Sequence, residues 1–319
     1  MFIKQWFKLF FHGGIDKSVS DPLEVFNLAQ SLFFQKKFKQ AERYIEIYRS
    51  KIDYDKFYKW DHRKQNTTHI SIIIVTYNAG EKLLSCLHSL SHQNYGNFEI
   101  IVVDNGKNEE VLESLKKFPV FYIRTPQNLL LSEGRNIGVH FSRADIIAFL
   151  DDDATVNSDY INSIIRAFQK YSIHALRGKV LPQSQPQNED ISHYDMRNTP
   201  FPSIINTEGN SAFLKQTFLN CLGMNPLLFG HEGWELSCKI IKKHGYSATL
   251  YWPQTVIYHD FSSDPVKINA KNKRHALMTS YIKKRVPGAK KIRKAMKKFY
   301  ENDQAKIRAS SRLILKDNS

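Results

Sequence analysis

The most regular feature of the chain is a series of short, uninterrupted apolar runs separated by helical patterns. Ser71-Ile72-Ile73-Ile74-Val75 is β-branched and apolar at consecutive positions. A strand covered on both faces requires this, because a half-exposed strand would alternate. After the Asn78-Ala79-Gly80 turn, Leu83, Leu84, Leu87 and Leu90 fall on one helical face, and Phe98-Glu99-Ile100-Ile101-Val102-Val103 reads as a second strand, apolar but for Glu99, that ends at Asp104-Asn105-Gly106. The same reading predicts a helix over 111–118, a strand over 120–124, a helix over 132–142 and a strand over 145–150. Three βαβ crossovers in succession imply a doubly wound α/β sheet. Further along, Asn157-Ser158 opens a helix holding Ile161, Ile164, Ile165 and Phe168, and a strand is predicted over 249–258.

Ahead of this domain, Asp21-Pro22 offers a cap and a first-turn proline to a helix carrying Leu23, Phe26, Leu32 and Phe33, and a second helix carries Phe38, Ala41, Ile45 and Tyr48. The expected organisation is a helical appendage over 1–66, an α/β domain over 67–264 with halves at 67–155 and 156–264, and a tail over 265–319. With 319 residues, 42% of them hydrophobic and 24% charged, the chain has the composition of a folded globular protein. No apolar run approaches the roughly 18 residues of a spanning helix. Cys86, Cys221 and Cys238 form no close pair, which argues against a disulfide scaffold and a zinc knuckle. The apolar start MFIKQWFKLFF is broken by Lys4 and Lys8 and lacks a cleavage site, so a cytoplasmic location is expected.

Charge changes the picture at one end. From Pro265 onward there are 17 lysines and arginines against three acids, +14 of the total +15. Ile292, Met296, Phe299 and Ile307 recur among Lys290, Lys291, Arg293, Lys294, Lys297 and Lys298, the pattern of a basic amphipathic helix. Such a helix suits an anionic membrane face, where each basic residue adds about 1 kcal/mol. Nucleic acid, which would use the same charge, is the disfavoured reading. A solvated helix whose apolar stripe packs on the body is the third.

In a doubly wound sheet ligands bind beyond the carboxyl ends of the strands. Neither GxGxxG nor GxxxxGK[ST] occurs. Directly after the fourth apolar run comes Asp151-Asp152-Asp153, three acids that repel one another unless a cation neutralises them. In extended backbone Asp151 and Asp153 share a face while Asp152 points away, so the middle residue can meet a different part of a ligand. Oxygen ligands suit Mg²⁺ or Mn²⁺, which combine carboxylates with substrate phosphates. A plain turn and helix cap is the alternative for the triplet.

Four motifs stand together: Ser71 to Asn78, Val102-Val103-Asp104-Asn105-Gly106, Glu133-Gly134-Arg135-Asn136-Ile137-Gly138, and Phe149-Leu150-Asp151-Asp152-Asp153. In order and spacing they resemble the family-2 glycosyltransferases of the GT-A fold, and the likeness runs from about His69 to His259. The resemblance implies a nucleoside pocket at Thr76, Tyr77, Asn78 and Asp104, with Asp104 accepting from the base. It implies a nucleotide or phosphate contact at Arg135, and sugar and metal ligands at Asp151 and Asp153, with Asp152 in the donor site. Tyr258-His259-Asp260 resembles the point where related enzymes place a metal-binding histidine.

Beyond Val180 a polar stretch with Pro182, Gln183, Gln185, Pro186 and Gln187 reads as a long loop over the donor site. Glu208 to Phe213 then resembles the family's strand facing the donor sugar. Glu232-Gly233-Trp234-Glu235 resembles its acidic signature, from which the catalytic base is drawn, but Gly233 stands where the usual Asp would be. Glu232 is the expected base and Glu235 the second choice, the alternative for either being helix N-terminal charge. Trp234 and Trp252 could stack on an acceptor sugar or fill the core.

The implied activity is metal-dependent, inverting transfer of a sugar from a nucleotide donor, a UDP-sugar by expectation, to a glycan hydroxyl in surface polysaccharide synthesis. The expected site is the inner membrane face, where lipid-linked glycan acceptors sit. Two alternatives remain: a catalytically degenerate sugar-nucleotide-binding module, which Gly233 favours, and a sugar nucleotidyltransferase. The latter would want a basic glycine-rich loop after the first strand, and Thr76 to Gly80 contains no basic residue.

Overall fold

The computed structural model describes residues 20–64, 68–78, 80–106, 109–183, 194–259 and 264–301. The apolar N-terminus, residues 184–193 of the polar loop, Asp260 and Ile307 lie outside the described residues. The chain divides into two compact units, one ending at Lys56 and one beginning at Phe57.

The first unit is a helical hairpin of α1 (Pro22–Phe34) and α2 (Phe38–Lys51). Asp21 accepts the Leu23 N–H at 3.2 Å, and Pro22 opens the first turn without wasting a donor. Val25, Phe26, Ala29 and Phe33 of α1 and Phe38, Ala41, Ile45 and Tyr48 of α2 are buried, with Phe26 against Tyr48 at 5.1 Å and Phe33 against Phe38 at 5.2 Å between ring centroids, while Leu23 and Leu32 are half-buried.

In the second unit the chain runs β1 (Tyr58–Asp61), β2 (Ile70–Thr76), α3 (Glu81–Ser91), β3 (Phe98–Asp104), α4 (Glu109–Leu115), β4 (Val120–Arg124), α5 (Leu130–Phe141) and β5 (Ile146–Asp151). It continues through β6 (Ala154–Val156), α6 (Tyr160–Lys170), β7 (Ala175–Pro182), β8 (Phe201–Pro202), β9 (Asn210–Leu214) and α7 (Lys215–Asn220). It ends with α8 (Glu232–His244), β10 (Thr249–His259), α9 (Pro265–Arg285) and α10 (Ala289–Glu301). The sheet order is β1-β4-β3-β2-β5-β9-β7-β10-β6, with β8 on β10. Strands β4, β3, β2 and β5 are parallel, β9 enters antiparallel between β5 and β7, and β6 returns antiparallel on β10. The sheet is doubly wound and mixed.

The continuously apolar runs are continuously buried: every residue of β2 is, which is why it carries β-branched residues on both faces. From β2 the chain first builds outward to β3 and β4, then crosses back to add β5 on the other side. That reversal opens a crevice beyond the carboxyl ends of β2 and β5. Gly138 lets α5 lie against β2, since a Cβ there would meet Ile73 Cγ2 at 2.3 Å.

The expected organisation needs two corrections. Residues 58–61, assigned to the helical appendage, form edge strand β1 in register with β4, where Trp60 stacks on Tyr122 at 5.1 Å. A cross-strand partner more than sixty residues away leaves no local signature. The tail from Pro265 is likewise part of the second unit. Met278, Tyr281, Ile282, Ala289, Ile292 and Met296 are buried, Phe299 meets Tyr246 and Arg293 covers Trp234 at 4.7 Å. The apolar stripe of α10 packs on protein, and the exposed face that remains is Lys290, Lys291, Lys294, Lys297 and Lys298.

Candidate active site

Parallel strands in register deliver polar residues to one rim. Thr76 pairs with Asp104, and Val75 with Asp151. Asp104 is buried, and both its oxygens are held: Oδ1 accepts the Gly106 N–H at 2.8 Å, and Oδ2 accepts the Tyr122 hydroxyl at 2.6 Å with Arg124 Nε at 3.3 Å. Burial and the Asp104 carboxylate together raise the Tyr122 phenol well above its ordinary range, so it stays a donor. Asn78 adopts φ 58° and presses on Gly106, where a Cβ would lie 2.3 Å from Asn78 Oδ1. Only glycine permits that approach. Tyr77 is exposed beside it. Thr76, Tyr77, Asn78 and Asp104 thus form one cluster at the ends of β2 and β3.

The three acids of the triplet face different partners. Asp152 is pushed up to about 6 by burial against the end of β2, with the Asp153 and Asp151 charges adding to the rise and Thr76 and Tyr77 opposing it. Asp153 faces His259, Oδ1 to Nε2 at 3.0 Å. Burial works to raise Asp153, but the His259 bond and charge outweigh it and leave the carboxyl below its ordinary value. For His259, burial works downward and Asp153 more than reverses it. The pairing comes from β6, which sets Ala154 opposite His259 on β10.

Asp151 turns elsewhere, to Arg135 Nη2 at 3.3 Å. Arg135 is 3% exposed, and its Nη1 donates to Glu232 Oε1 at 2.7 Å. One guanidinium therefore joins the end of β5 to the start of α8. Glu232 Oε2 accepts the Gly230 N–H at 2.7 Å, so both oxygens of this carboxylate are engaged. Glu235 pairs with Lys239 at 3.0 Å and does not line the cavity. Of the two acids in the signature, only Glu232 reaches the site.

A cavity of about 600 Å³ opens here, lined by Arg135, Asp151, Glu208, Glu232 and His259 among others. Its far wall is α9, which supplies Ile268, Lys271, Arg274 and His275, while His231 contributes from the residue before α8 at φ 64°. Arg274 lies over the Phe229 ring at 4.1 Å, and burial lowers its basicity against the opposing Glu232 charge. Trp234 and Trp252 do not line the cavity; both are buried, and Trp252 Nε1 donates to Ser163 O at 2.9 Å.

The residues at the rim fit a divalent cation as a pair completed by phosphate. Among the described residues no three acidic, histidine or cysteine side chains converge to hold a metal alone. Asp153 and His259 supply one oxygen and one nitrogen in contact, and Mg²⁺ or Mn²⁺ sites commonly take one or two protein ligands plus substrate phosphate oxygens. The third expected ligand, Asp151, is engaged with Arg135.

Five residues take roles that the sequence does not assign to them individually, although Glu208 and Gly209 open the stretch likened to the family's strand facing the donor sugar. Glu208 sits in the turn before β9, half-buried, and burial together with the Glu232 charge pushes it up to about 8. Gly209 follows; a Cβ there would collide with the Asp151 carboxylate, so glycine is obligatory beneath it. Lys271, Arg274 and His275 read as tail charge. Glu208 and Gly209 carry no signal beyond their strand-like context, and the α9 residues none beyond net charge.

Residues 71–229 match the family model described as Glycosyl transferase family 2. The amylovoran biosynthesis glycosyltransferase AmsB of Erwinia amylovora is 30% identical over 205 residues, which cover 59% of this chain and 60% of that protein. Among solved structures, the mannosyltransferase PcManGT from Pyrobaculum calidifontis in complex with GDP-Man and Mn²⁺ has a TM-score of 0.58 at 13% identity, covering 91% of this chain and 85% of that one. S. aureus TarS 1-349 in complex with UDP-GlcNAc has a TM-score of 0.51 at 16% identity, covering 62% and 60%. The chain spans less than two thirds of the length of the sequence relatives it matches.

Proposed function

We propose that this chain, which belongs to glycosyl transferase family 2, moves a sugar from a nucleoside diphosphate donor to a hydroxyl of a glycan, in the synthesis of a surface polysaccharide. The fold is that of the GT-A glycosyltransferases, and the chain is a transferase by family. The reading is carried by one arrangement: Arg135 reaches Asp151 on the donor rim and Glu232 on the acceptor wall within one cavity at the reversal of the sheet.

In this reading the base lies among Thr76, Tyr77 and Asn78. Asp104, held in place by Tyr122 and Gly106, accepts an N–H of a pyrimidine or guanine ring. Asp151 and Arg135 orient the sugar and meet the phosphate, and Asp152 backs them from the end of β2. Asp153 and His259 would hold Mn²⁺ or Mg²⁺, which when bound neutralises charge on the departing diphosphate. Arg135 adds fixed positive charge on a buried guanidinium, where it acts more strongly than in open solvent. A carboxylate of the acceptor wall takes the proton of the attacking hydroxyl, in a single displacement that inverts the anomeric centre.

A UDP-sugar remains the expected donor; TarS was solved with UDP-GlcNAc and PcManGT with GDP-Man, so both nucleotides belong in the assay. The polysaccharide role is supported by the likeness to AmsB, an amylovoran biosynthesis glycosyltransferase. Among the described residues no helix is long and apolar enough to cross a membrane. Contact with an anionic inner membrane face would draw on exposed lysines such as those of α10, bringing the enzyme to lipid-linked acceptors. Thermal-shift measurements with UDP, GDP, dTDP and CMP, with and without Mn²⁺, test the proposal. A metal-dependent rise with a nucleoside diphosphate, abolished in Asp153→Ala, is expected. No shift with any nucleotide, and no donor cleavage, would favour the degenerate module.

A further inference from the structure

Gly233 stands where the resemblance expects an acid, and its surroundings leave no room for one. A Cβ at 233 would lie 2.6 Å from the Ile205 carbonyl oxygen and 2.9 Å from Cγ and Oε1 of Glu208. The Ile205 N–H also donates to Ser237 Oγ at 2.9 Å, so the segment leading to β9 is stitched to α8 and cannot easily step back. The space is filled by another carboxyl group. Glu208 Oε1 accepts the Gly233 N–H at 3.0 Å, from 25 residues earlier in the chain.

We propose that Glu208 is the general base of the transfer, supplying from the turn before β9 the carboxylate that position 233 lacks. This rests on the transferase reading above and deepens it. Three observations select Glu208 over its neighbours. Both oxygens of Glu232 are committed, one to Arg135 and one to the Gly230 N–H, so it is the anchor of the guanidinium. Glu235 is paired with Lys239 and lies off the cavity. Glu208 lines the cavity with Oε1 on Gly233, and its Oε2 has no side-chain hydrogen-bond partner among the described residues.

The turn that carries Glu208 is fixed relative to the donor. Asn210 N–H donates to Thr207 O at 2.9 Å, Ser211 Oγ donates to Glu208 O at 2.8 Å, and Gly209 O accepts the Asp151 N–H at 3.2 Å. The base is thereby one residue removed from the backbone partner of the sugar-orienting carboxylate, in a turn pinned by these bonds directly ahead of β9. In the step itself, the acceptor oxygen bonds to the anomeric carbon while the bond from that carbon to the β-phosphate oxygen breaks. The electron pair leaves with the nucleoside diphosphate, and the hydroxyl proton passes to Glu208 Oε2. Glu232 and Arg135 stay paired throughout.

The test uses the full chain with UDP-GlcNAc, UDP-glucose and GDP-mannose plus Mn²⁺, reading release of the nucleoside diphosphate with water as acceptor. Glu208→Gln keeps an amide oxygen for the Gly233 N–H, so a merely structural role predicts unchanged turnover. A base predicts a loss of about 100-fold or more, with the donor-induced rise in melting temperature equal to that of the wild type. Glu208→Ala should be partly rescued by added formate, which restores a carboxylate in the vacated space and keeps the test open if the Gln variant folds poorly. Turnover by Glu208→Gln within about twofold of wild type, or no formate rescue of Glu208→Ala, overturns the assignment while leaving the transferase reading intact. Absence of donor binding and cleavage in the wild type overturns both, and the two failures are told apart by the wild-type protein alone.

Discussion

The two sides of the cavity are built by different rules. On the donor rim, Thr76, Asp104 and Asp151 close three neighbouring parallel strands, each a buried apolar run that ends where its polar residue begins. On the acceptor wall, Glu208, His231, Glu232, Lys271 and His275 come from a turn, a left-handed residue before a helix, and a helix of the basic segment. The rim is placed by local periodicity and the wall by long-range contact. Chemistry on the first side can be read along the chain; chemistry on the second exists only after folding.

Arg135 couples the two, and cutting it should give the largest effect. Arg135→Ala leaves Glu232 buried without its guanidinium partner, with only the Gly230 N–H on its other oxygen, and breaking such a pair costs about 3–5 kcal/mol. Chemical denaturation should show Arg135→Ala and Glu232→Ala together costing less than their sum, because the pair acts as a unit. Additive losses would mean that rim and wall are independent.

Glycine substitutions probe the contrast between close approach and open loop. Gly233→Ala drives a Cβ into the Ile205 carbonyl and should lower stability by about 1–3 kcal/mol. Gly96→Ala, ahead of β3 with nothing within 4 Å of its Cβ, should stay within about 0.5 kcal/mol. Melting curves of the two variants check this. On the donor side, Tyr122→Phe removes a donor to the buried Asp104 and should cost about 1–3 kcal/mol, with weaker nucleotide binding by calorimetry.

Most of the rim is legible in the sequence because burial and chemistry alternate in blocks there. The strand predicted over 120–124 matches β4 to the residue, and those predicted at 71–75, 98–103 and 145–150 differ from β2, β3 and β5 by one or two residues at their ends. Asp153 and His259 are both expected as metal ligands, but what joins them is strand β6, only three residues long and too short to announce itself. Glu235 stands beside Glu232 as a candidate base because both fall, three residues apart, in the stretch that resembles the family's acidic signature. In the fold that spacing rotates Glu235 onto Lys239 and away from the cavity. The basic segment reads as charge, whereas α9 spends four of its polar side chains, Lys271, Asn272, Arg274 and His275, on the cavity wall and α10 spends its apolar stripe on packing. Charge counts report quantity, not direction.

The wall also carries a pH signature of its own. Glu208 is raised in the folded protein to about 8 by burial and by Glu232, with Arg135 opposing. Above its ordinary carboxyl value the folded state holds a proton that the unfolded state has lost, so this residue makes stability fall as pH rises, and because a base must be ionised, turnover should rise over the same range. Subtracting the Glu208→Gln stability profile from that of the wild type should isolate the slope; a flat difference would mean that the carboxyl titrates normally. The smallest effect expected is at α10. Partition onto vesicles containing phosphatidylserine should exceed that onto neutral vesicles, fall with salt, and weaken by about 1 kcal/mol for each of Lys290, Lys294 and Lys298 changed to alanine.

All of this chemistry requires that the reversal between β2 and β5 hold a cation and a nucleoside diphosphate together. Anomalous scattering from manganese in crystals grown with UDP and Mn²⁺ decides the point. The expected outcome is a manganese peak touching Asp153, His259 and a diphosphate oxygen, with the uracil ring beside Asp104. Nucleotide bound away from this rim, or a rim carrying nucleotide with no manganese beside Asp153, would refute it.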